Sequence, residues 1–268
     1  MMDLKKLCNN VEEIAKEAGE YLLKESGTFD KSMIETKGLH DFVSYVDKGS
    51  EKMLVEKLGS LLPSAGFLTE EGTSTRKGLS YSWVIDPLDG TTNFLHSLHP
   101  FSISIGLMEG DEIIAGVVHE PGGKETFSAW KNGGAWLNGN EIHVSDRATI
   151  ADSLVATGFP YYDFDRLTQY MDCLTYLVRN SHGIRRLGSA AVDLAYVACG
   201  RFEVFFEYSL HLWDIAAGSI LVREAGGVVS DFKGRMDGMS GYEIVAGNSL
   251  VYPAMMELIE KFKLNIKK

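Results

Sequence analysis

The stretch from Trp83 to Phe94 reads Trp-Val-Ile-Asp-Pro-Leu-Asp-Gly-Thr-Thr-Asn-Phe. Trp83, Val84 and Ile85 form a short apolar run suited to a buried strand. Asp86 falls where that strand is expected to end, because Pro87 cannot donate a ladder hydrogen bond. Asp89-Gly90 then turns the chain. Gly90, Thr91 and Thr92 follow with backbone N–H groups and two hydroxyls. Two carboxylates and a set of donors thus sit at the lip of a rigid strand. Carboxylates suit a hard cation such as Mg²⁺, and clustered N–H groups suit phosphate. An acidic turn on a solvated surface has the same local pattern, so distant residues must decide between the two.

The chain has 268 residues, enough for one large domain or two coupled halves. Its hydrophobic share of 45% and charged share of 24% allow a sizeable core. No apolar run approaches the roughly 18 residues of a membrane helix. The N-terminus alternates charged and apolar groups and lacks a signal-peptide core. Cys8, Cys173 and Cys199 are far apart and odd in number, which fits reduced thiols in a cytoplasm. A formal net charge of −11 argues against nucleic acid or an anionic membrane as partner. It is compatible with a phosphorylated substrate if metal ions cover the acidic site.

Apolar residues at three- and four-residue steps predict a helix from about Asp3 to Lys24. Ser32 to His40 is polar, with Lys37-Gly38 expected in a loop, and a second helix is expected from about Val46 to Leu62. Phe67-Leu68 makes a short strand before Thr69-Glu70-Glu71-Gly72, and Thr73 to Ser80 reads as an irregular tip. Alternating runs after Phe101 predict hairpins, with Glu109-Gly110-Asp111 and Asn138-Gly139 as turns. The first half therefore reads as two helices plus an antiparallel sheet, the second half as alternating strands and helices on a mixed sheet. A single catalytic domain over 1–268 is expected, with subdomains of about 1–147 and 148–268.

Acids recur at strand ends and helix starts: Asp47, Glu70-Glu71, Asp86 with Asp89, and Asp214. Asp47 can act as a helix cap, and Glu70-Glu71 as a solvated turn. Asp214 is different. It precedes Ile215 to Val222, too apolar for a surface helix, so a cation or polar group must neutralise it there. The chain lacks the acids of an EF-hand loop, and it has no His-Glu-x-x-His, phosphate-loop or Gly-x-Ser-x-Gly pattern. His96 and His99 are assigned structural or surface roles.

Asp86 to Phe94 resembles the signature of the inositol monophosphatase family. Trp213 to Gly218 resembles that family's second signature. Glu70-Glu71 falls at the spacing of its acidic pair, and Asp41 to Asp47 resembles a further motif. The resemblance runs from the first helix to the last. It implies an α/β fold of the α+β type, a five-layer αβαβα sandwich of two sheets, with the acids meeting between the halves. It implies that Glu70, Asp86, Asp89 and Asp214, with the Leu88 carbonyl, hold two or three Mg²⁺. Thr91 would hydrogen-bond the attacking water, oriented by Asp47 and helped by Glu70. Gly90 and Thr91 N–H groups would hold phosphate, with Asp214 also close to the substrate.

For the released alcohol, the resemblance points to Gly188, Ser189, Ala190 and Glu207. One of Arg185-Arg186 is open to pairing with Glu207 or with a second copy of the chain. The implied enzyme is a cytoplasmic, lithium-sensitive, homodimeric phosphatase acting on a small phosphorylated polyol, foremost inositol monophosphate. Thr69, Gly72 and Ser44 depart from the usual pattern without removing a ligand. Thr92-Asn93 points away from the 3′-phosphonucleotide branch. Fructose 1,6-bisphosphate, histidinol phosphate and NADP remain alternative substrates, and a non-catalytic metal- or phosphate-binding regulator is the alternative outside catalysis.

Overall fold

The computed structural model describes residues 2–27, 35–38, 41–43, 45–74, 76, 78, 80–236 and 241–266. Helix α1 (Leu4–Ser26) opens with Asp3 as its N-cap, the carboxylate accepting the Lys6 N–H at 3.0 Å. A short antiparallel pair, β1 (Glu35–Gly38) and β2 (Asp41–Val43), precedes α2 (Tyr45–Leu61). Strand β1 corrects the loop expected at Lys37-Gly38: its ladder to β2 supplies backbone partners that local polarity does not reveal. The rest of the polar segment at 32–34 and 39–40 lies outside the described residues, as do Ser44 and positions 75, 77 and 79 of the tip after Gly72.

The first large sheet has seven strands in order: β3 (Gly66–Thr69), β4 (Tyr81–Asp89), β5 (Ser102–Glu109), β6 (Glu112–Glu120), β7 (Glu125–Trp130), β8 (Ala135–Leu137) and β9 (Asn140–Ile142). Both expected turns are present. Asn138 and Gly139 have φ of 49° and 79°, the paired positive values of a tight hairpin between β8 and β9. One expectation needs correction: β3 pairs parallel to β4, so the sheet is not wholly antiparallel. The parallel pairing sets the end of β3 opposite Ile85, the residue before Asp86.

A short 3₁₀ turn at Ile150–Asp152 leads into the second sheet. It comprises β10 (Leu154–Thr157), β11 (Gly183–Arg185), β12 (Val204–Tyr208), β13 (Gly227–Ser230) and β14 (Glu243–Asn248), in the order β11-β10-β12-β14-β13. Strand β10 is parallel to both neighbours, and β14 is antiparallel to both of its own. Parallel neighbours need long crossovers. Here α4 (Leu167–Asn180) links β10 to β11, and α5 (Ala190–Ala198) links β11 to β12. Helices α6 (Leu212–Glu224) and α7 (Tyr252–Lys261) complete the chain, with the one-turn α3 (Thr91–Leu95) after β4.

Three apolar clusters glue five layers. The first joins α1 and α2 to the outer face of the seven-stranded sheet, through Leu22, Leu54, Trp83 and Ile105. The second fills the middle, where α5 and α6 lie between the sheets, with Val118, Phe127, Leu194, Leu221 and Phe205. The third joins α4 and α7 to the far face of the five-stranded sheet, through Tyr170, Leu177, Phe206 and Met255. The expected αβαβα sandwich is what forms. Its central layer explains the apolar run of α6, which is buried from Ile215 to Val222 because both flanks meet a sheet. Ile215, Ile220, Leu221 and Val222 each contribute about 1.5–3 kcal/mol of burial. The N-terminus of α6, which bears Asp214, is therefore set rigidly.

Candidate active site at the junction of the two sheets

A cavity of about 280 Å³ opens where the two sheets meet. Glu70, Asp86, Leu88, Asp89, Gly90, Thr91, Gly188, Ser189, Ala190, Glu207 and Asp214, all anticipated from the sequence, lie on its wall. Asp47 lies behind them and reaches the site through Thr91.

Strand β4 does not end at Asp86. Its ladder with β5 is interrupted and then resumes: Asp86 pairs with Ser104, and Asp89 pairs with Ser102. Three residue steps on β4 match two on β5, so Pro87-Leu88 contains a bulge. Pro87 breaks the local ladder as expected but does not stop the strand. The extra residue has a chemical consequence. On a regular strand, side chains three apart point to opposite faces. The bulge restores a two-residue spacing, and both carboxylates face the cavity. Asp86 is 2% exposed and accepts the Leu88 N–H at 2.9 Å. Gly90, with φ at 93°, then turns the chain into α3, a conformation that favours glycine.

The Thr91 hydroxyl lies 2.9 Å from the Leu88 carbonyl oxygen and 3.3 Å from Asp47 Oδ1. It has one proton, so it donates to one of these oxygens at a time. When it donates to Asp47, a lone pair is left to accept from a third group. Asp47 sits in the first turn of α2, 1% exposed.

Asp89 bridges the two halves of the molecule. Its Oδ2 accepts the Ser189 hydroxyl at 2.6 Å and the Ala191 N–H at 2.7 Å, at the start of α5. The Ser189 hydroxyl also caps α5 through the Val192 N–H at 3.3 Å. It is therefore engaged by the protein, while the adjoining Gly188 and Ala190 line the cavity. Asp214 accepts the His211 N–H at 2.7 Å, closing the first turn of α6.

The electrostatics follow from gathering acids out of water. Burial, then Glu70, Asp89 and Asp214, raises the Asp86 carboxyl well above the usual carboxylate range. Burial, then Asp89, does the same to Asp214. Burial pushes Asp89 up to about 6, against the hydrogen bonds from Ser189, Ala191 and Ala190 and the charge of Arg186. Glu207 is pushed up to about 8 by burial, while Arg186 pulls it down. Among the described residues no three acidic, histidine or cysteine side chains already converge as a coordination shell. Asp86, Asp89 and Asp214 each turn an oxygen to a protein donor instead. The donor set still fits a hard cation. Several carboxylates line one partly desolvated space, and each gains from a positive charge placed among them.

Three residues were not anticipated. Glu51 is fully buried on α2, one helical turn after Asp47. Its carboxylate accepts the Thr69 hydroxyl at 2.8 Å and the Glu71 and Thr73 N–H groups, both at 2.7 Å. It thus folds the turn that presents Glu70. The four-residue spacing from Asp47 was the available signal. Asn93 donates to the carbonyls of Pro100 and Leu187, both at 2.7 Å, tying α3 to the second half. No local pattern announced that role. Asp193, on the first turn of α5, also lines the cavity. A lone acid in the apolar helix Ala190–Ala198 was its signal, the same one that marked Asp214.

A layered α+β sandwich with an acid-lined cavity between its sheets is the class that fold and site define. The sequence profile of the Inositol monophosphatase family matches residues 3–264, and the chain belongs to that family. An inositol-1-monophosphatase of Mesorhizobium japonicum is 38% identical over 256 residues, 95% of this chain and 96% of that protein. The Nus factor SuhB of Pseudomonas aeruginosa is 40% identical over 251 residues, 92% of this chain and 93% of that one. The crystal structure of the extragenic suppressor protein SuhB from Bartonella henselae superposes with a TM-score of 0.90 at 37% identity, covering 96% of this chain and 99% of its own. Family and relatives support a phosphatase-type function. A net charge of −11 does not by itself exclude a nucleic-acid partner, and the relatives named Nus factor SuhB lend that exclusion no support. Among the described residues no helix is long and apolar enough to cross a membrane.

Proposed function

We propose that this protein hydrolyses a small phosphate monoester with Mg²⁺, foremost inositol monophosphate to inositol and phosphate, as a cytoplasmic, lithium-sensitive homodimer. The observation that carries the reading is the β4 bulge, which turns Asp86 and Asp89 to one cavity wall beside Glu70 and Asp214. Those four carboxylates, with the Leu88 carbonyl, would hold two or three ions. When bound, the ions would offset the charge of the phosphate and acidify water.

The chain's own groups do the rest. Thr91, donating to Asp47, accepts a hydrogen bond from the attacking water and so orients it. Glu70 faces the same space as proton acceptor. The Gly90 and Thr91 N–H groups, at the start of α3, hold phosphate oxygens. Glu207 accepts hydroxyls of the alcohol. Phosphate leaves without a covalent enzyme intermediate.

A phosphate-release screen tests this, over inositol phosphates, fructose 1,6-bisphosphate, histidinol phosphate, NADP and 3′-phosphoadenosine nucleotides. Fastest release from inositol monophosphate supports the reading. Preference for another member keeps the chemistry and moves the substrate. A second reading, a non-catalytic regulator, is favoured by the relatives named Nus factor SuhB. No turnover with any substrate, with Mg²⁺ present, would establish it over the first.

A further inference from the structure

Besides the acids of β4 and α6, the cavity lining carries Arg186, Asp193 and Glu207. They come from three elements. Arg186 follows β11, Asp193 sits on the first turn of α5, and Glu207 lies within β12. Asp193 is 1% exposed, and its Oδ1 has no hydrogen-bond partner among the described residues. Arg186 Nε is likewise buried without a partner. One guanidinium nitrogen of Arg186, Nη2, is fixed by the Tyr161 hydroxyl at 2.5 Å. One acceptor and one donor are thus left unsatisfied on the wall of one cavity, and neither bonds the other. Each carries an uncompensated desolvation cost until a partner arrives.

The chemistry narrows the partner. Asp193 and Glu207 offer an anion no positive charge. A further cation is repelled by Arg186. An apolar group leaves both orphaned atoms unpaired. A hydroxyl offers both complementary roles, a donor for a carboxylate and an acceptor for a guanidinium. We infer that Asp193 and Arg186 form, beside Glu207, a subsite that reads an additional hydroxyl of the released alcohol. Asp193 is its specificity-determining residue, and its ligand class is a phosphorylated polyol with hydroxyls on adjacent carbons beyond the ester. The inference rests on the phosphatase reading and extends it to how the alcohol is chosen.

The test compares kcat/KM for myo-inositol 1-phosphate with kcat/KM for p-nitrophenyl phosphate. The second substrate is ring-sized and has no hydroxyl to read. In Asp193→Ala the ratio of the two constants should fall at least fivefold, and Asp193→Asn, which keeps an acceptor oxygen in place, should recover part of it. A smaller fall overturns the subsite, whether both substrates suffer equally or neither suffers. Thermal unfolding is followed for each variant. Should Asp193→Ala fail to fold, Asp193→Leu, which fills the space without an acceptor, decides in its place, and a fall of less than fivefold overturns the subsite. If the wild-type protein releases phosphate from neither substrate, it is the phosphatase reading that fails, and the subsite falls with it.

Discussion

The two walls of the cavity are built in opposite ways. The wall from Asp86 to Thr91 is one continuous stretch of chain, a bulge followed by a left-handed glycine and a helical turn. Its acids already have protein donors: Leu88 N–H for Asp86, and Ser189 and Ala191 for Asp89. The other part of the lining is assembled from Tyr161, Arg186, Asp193 and Glu207, brought together from four places. It keeps two buried polar atoms unsatisfied. One wall is locally prescribed and internally braced, as a constant chemical step requires. The other is assembled by tertiary packing and left open, as a choice of ligand requires.

The sharpest way to break this comparison is at the braced wall. Asp89→Asn should lower phosphate release more than about a hundredfold, because it removes charge from the acid that touches both halves. Circular dichroism should show a folded protein. Retained turnover would move the chemistry elsewhere. Chelation by EDTA should silence the wild-type protein to a similar degree, and added Mg²⁺ should restore it. Recovery without added metal would count against the cation-binding role of this wall.

Bracing itself is tested at Glu51. Glu51→Ala leaves the Thr69 hydroxyl and two backbone N–H groups without their acceptor. A loss of about 3 kcal/mol in unfolding free energy is expected, together with a higher Mg²⁺ requirement, since the Glu70 turn loosens. An unchanged denaturation midpoint would show that the turn holds itself.

The open wall should respond more gently. A Cβ on Gly158 would overlap the Glu207 carboxylate. Gly158→Ala should therefore raise KM for inositol phosphate about tenfold and change kcat less. Equal losses in both would place Glu207 nearer the chemistry.

The smallest expected effect is a pH slope. Burial raises folded-state Glu207 to about 8, above its ordinary 4.5. Between those values the native state holds a proton that the unfolded state has lost, so this group's contribution to stability falls as pH rises through that window. Glu207→Gln should remove that part of the slope. Metal-free protein melted at pH 5 and pH 8 should show the variant gaining on the wild type at the higher pH. Parallel behaviour would indicate that Arg186 neutralises Glu207 fully.

Much of the braced wall was legible because its signals are local. Asp86 and Asp89 flank a proline, Gly90 marks a positive φ, and Asp214 stands before an apolar helix. The open wall was legible only in part. Glu207 was reached through family resemblance, while Asp193 passed unnoticed although it carries the same signal as Asp214: one acid in a helix with no water to face. Glu51 and Asn93 were missed for another reason. Their partners lie between 7 and 94 positions away along the chain, and hydrogen bonds at such separations leave little periodic trace.

The sequence by itself determined the periods of the helices and strands, both tight hairpin turns, and the order of acid, proline, acid and glycine at the centre of the chain. Those depend on neighbours within a few residues, where backbone sterics and side-chain spacing act directly. Only the tertiary structure decided that β3 runs parallel to β4, that a bulge aligns Asp86 with Asp89, and that Arg186, Asp193 and Glu207 share a wall. Sheet register and layer packing fix these features. They are set by which surfaces the whole chain can bury at once, a condition that no short stretch contains.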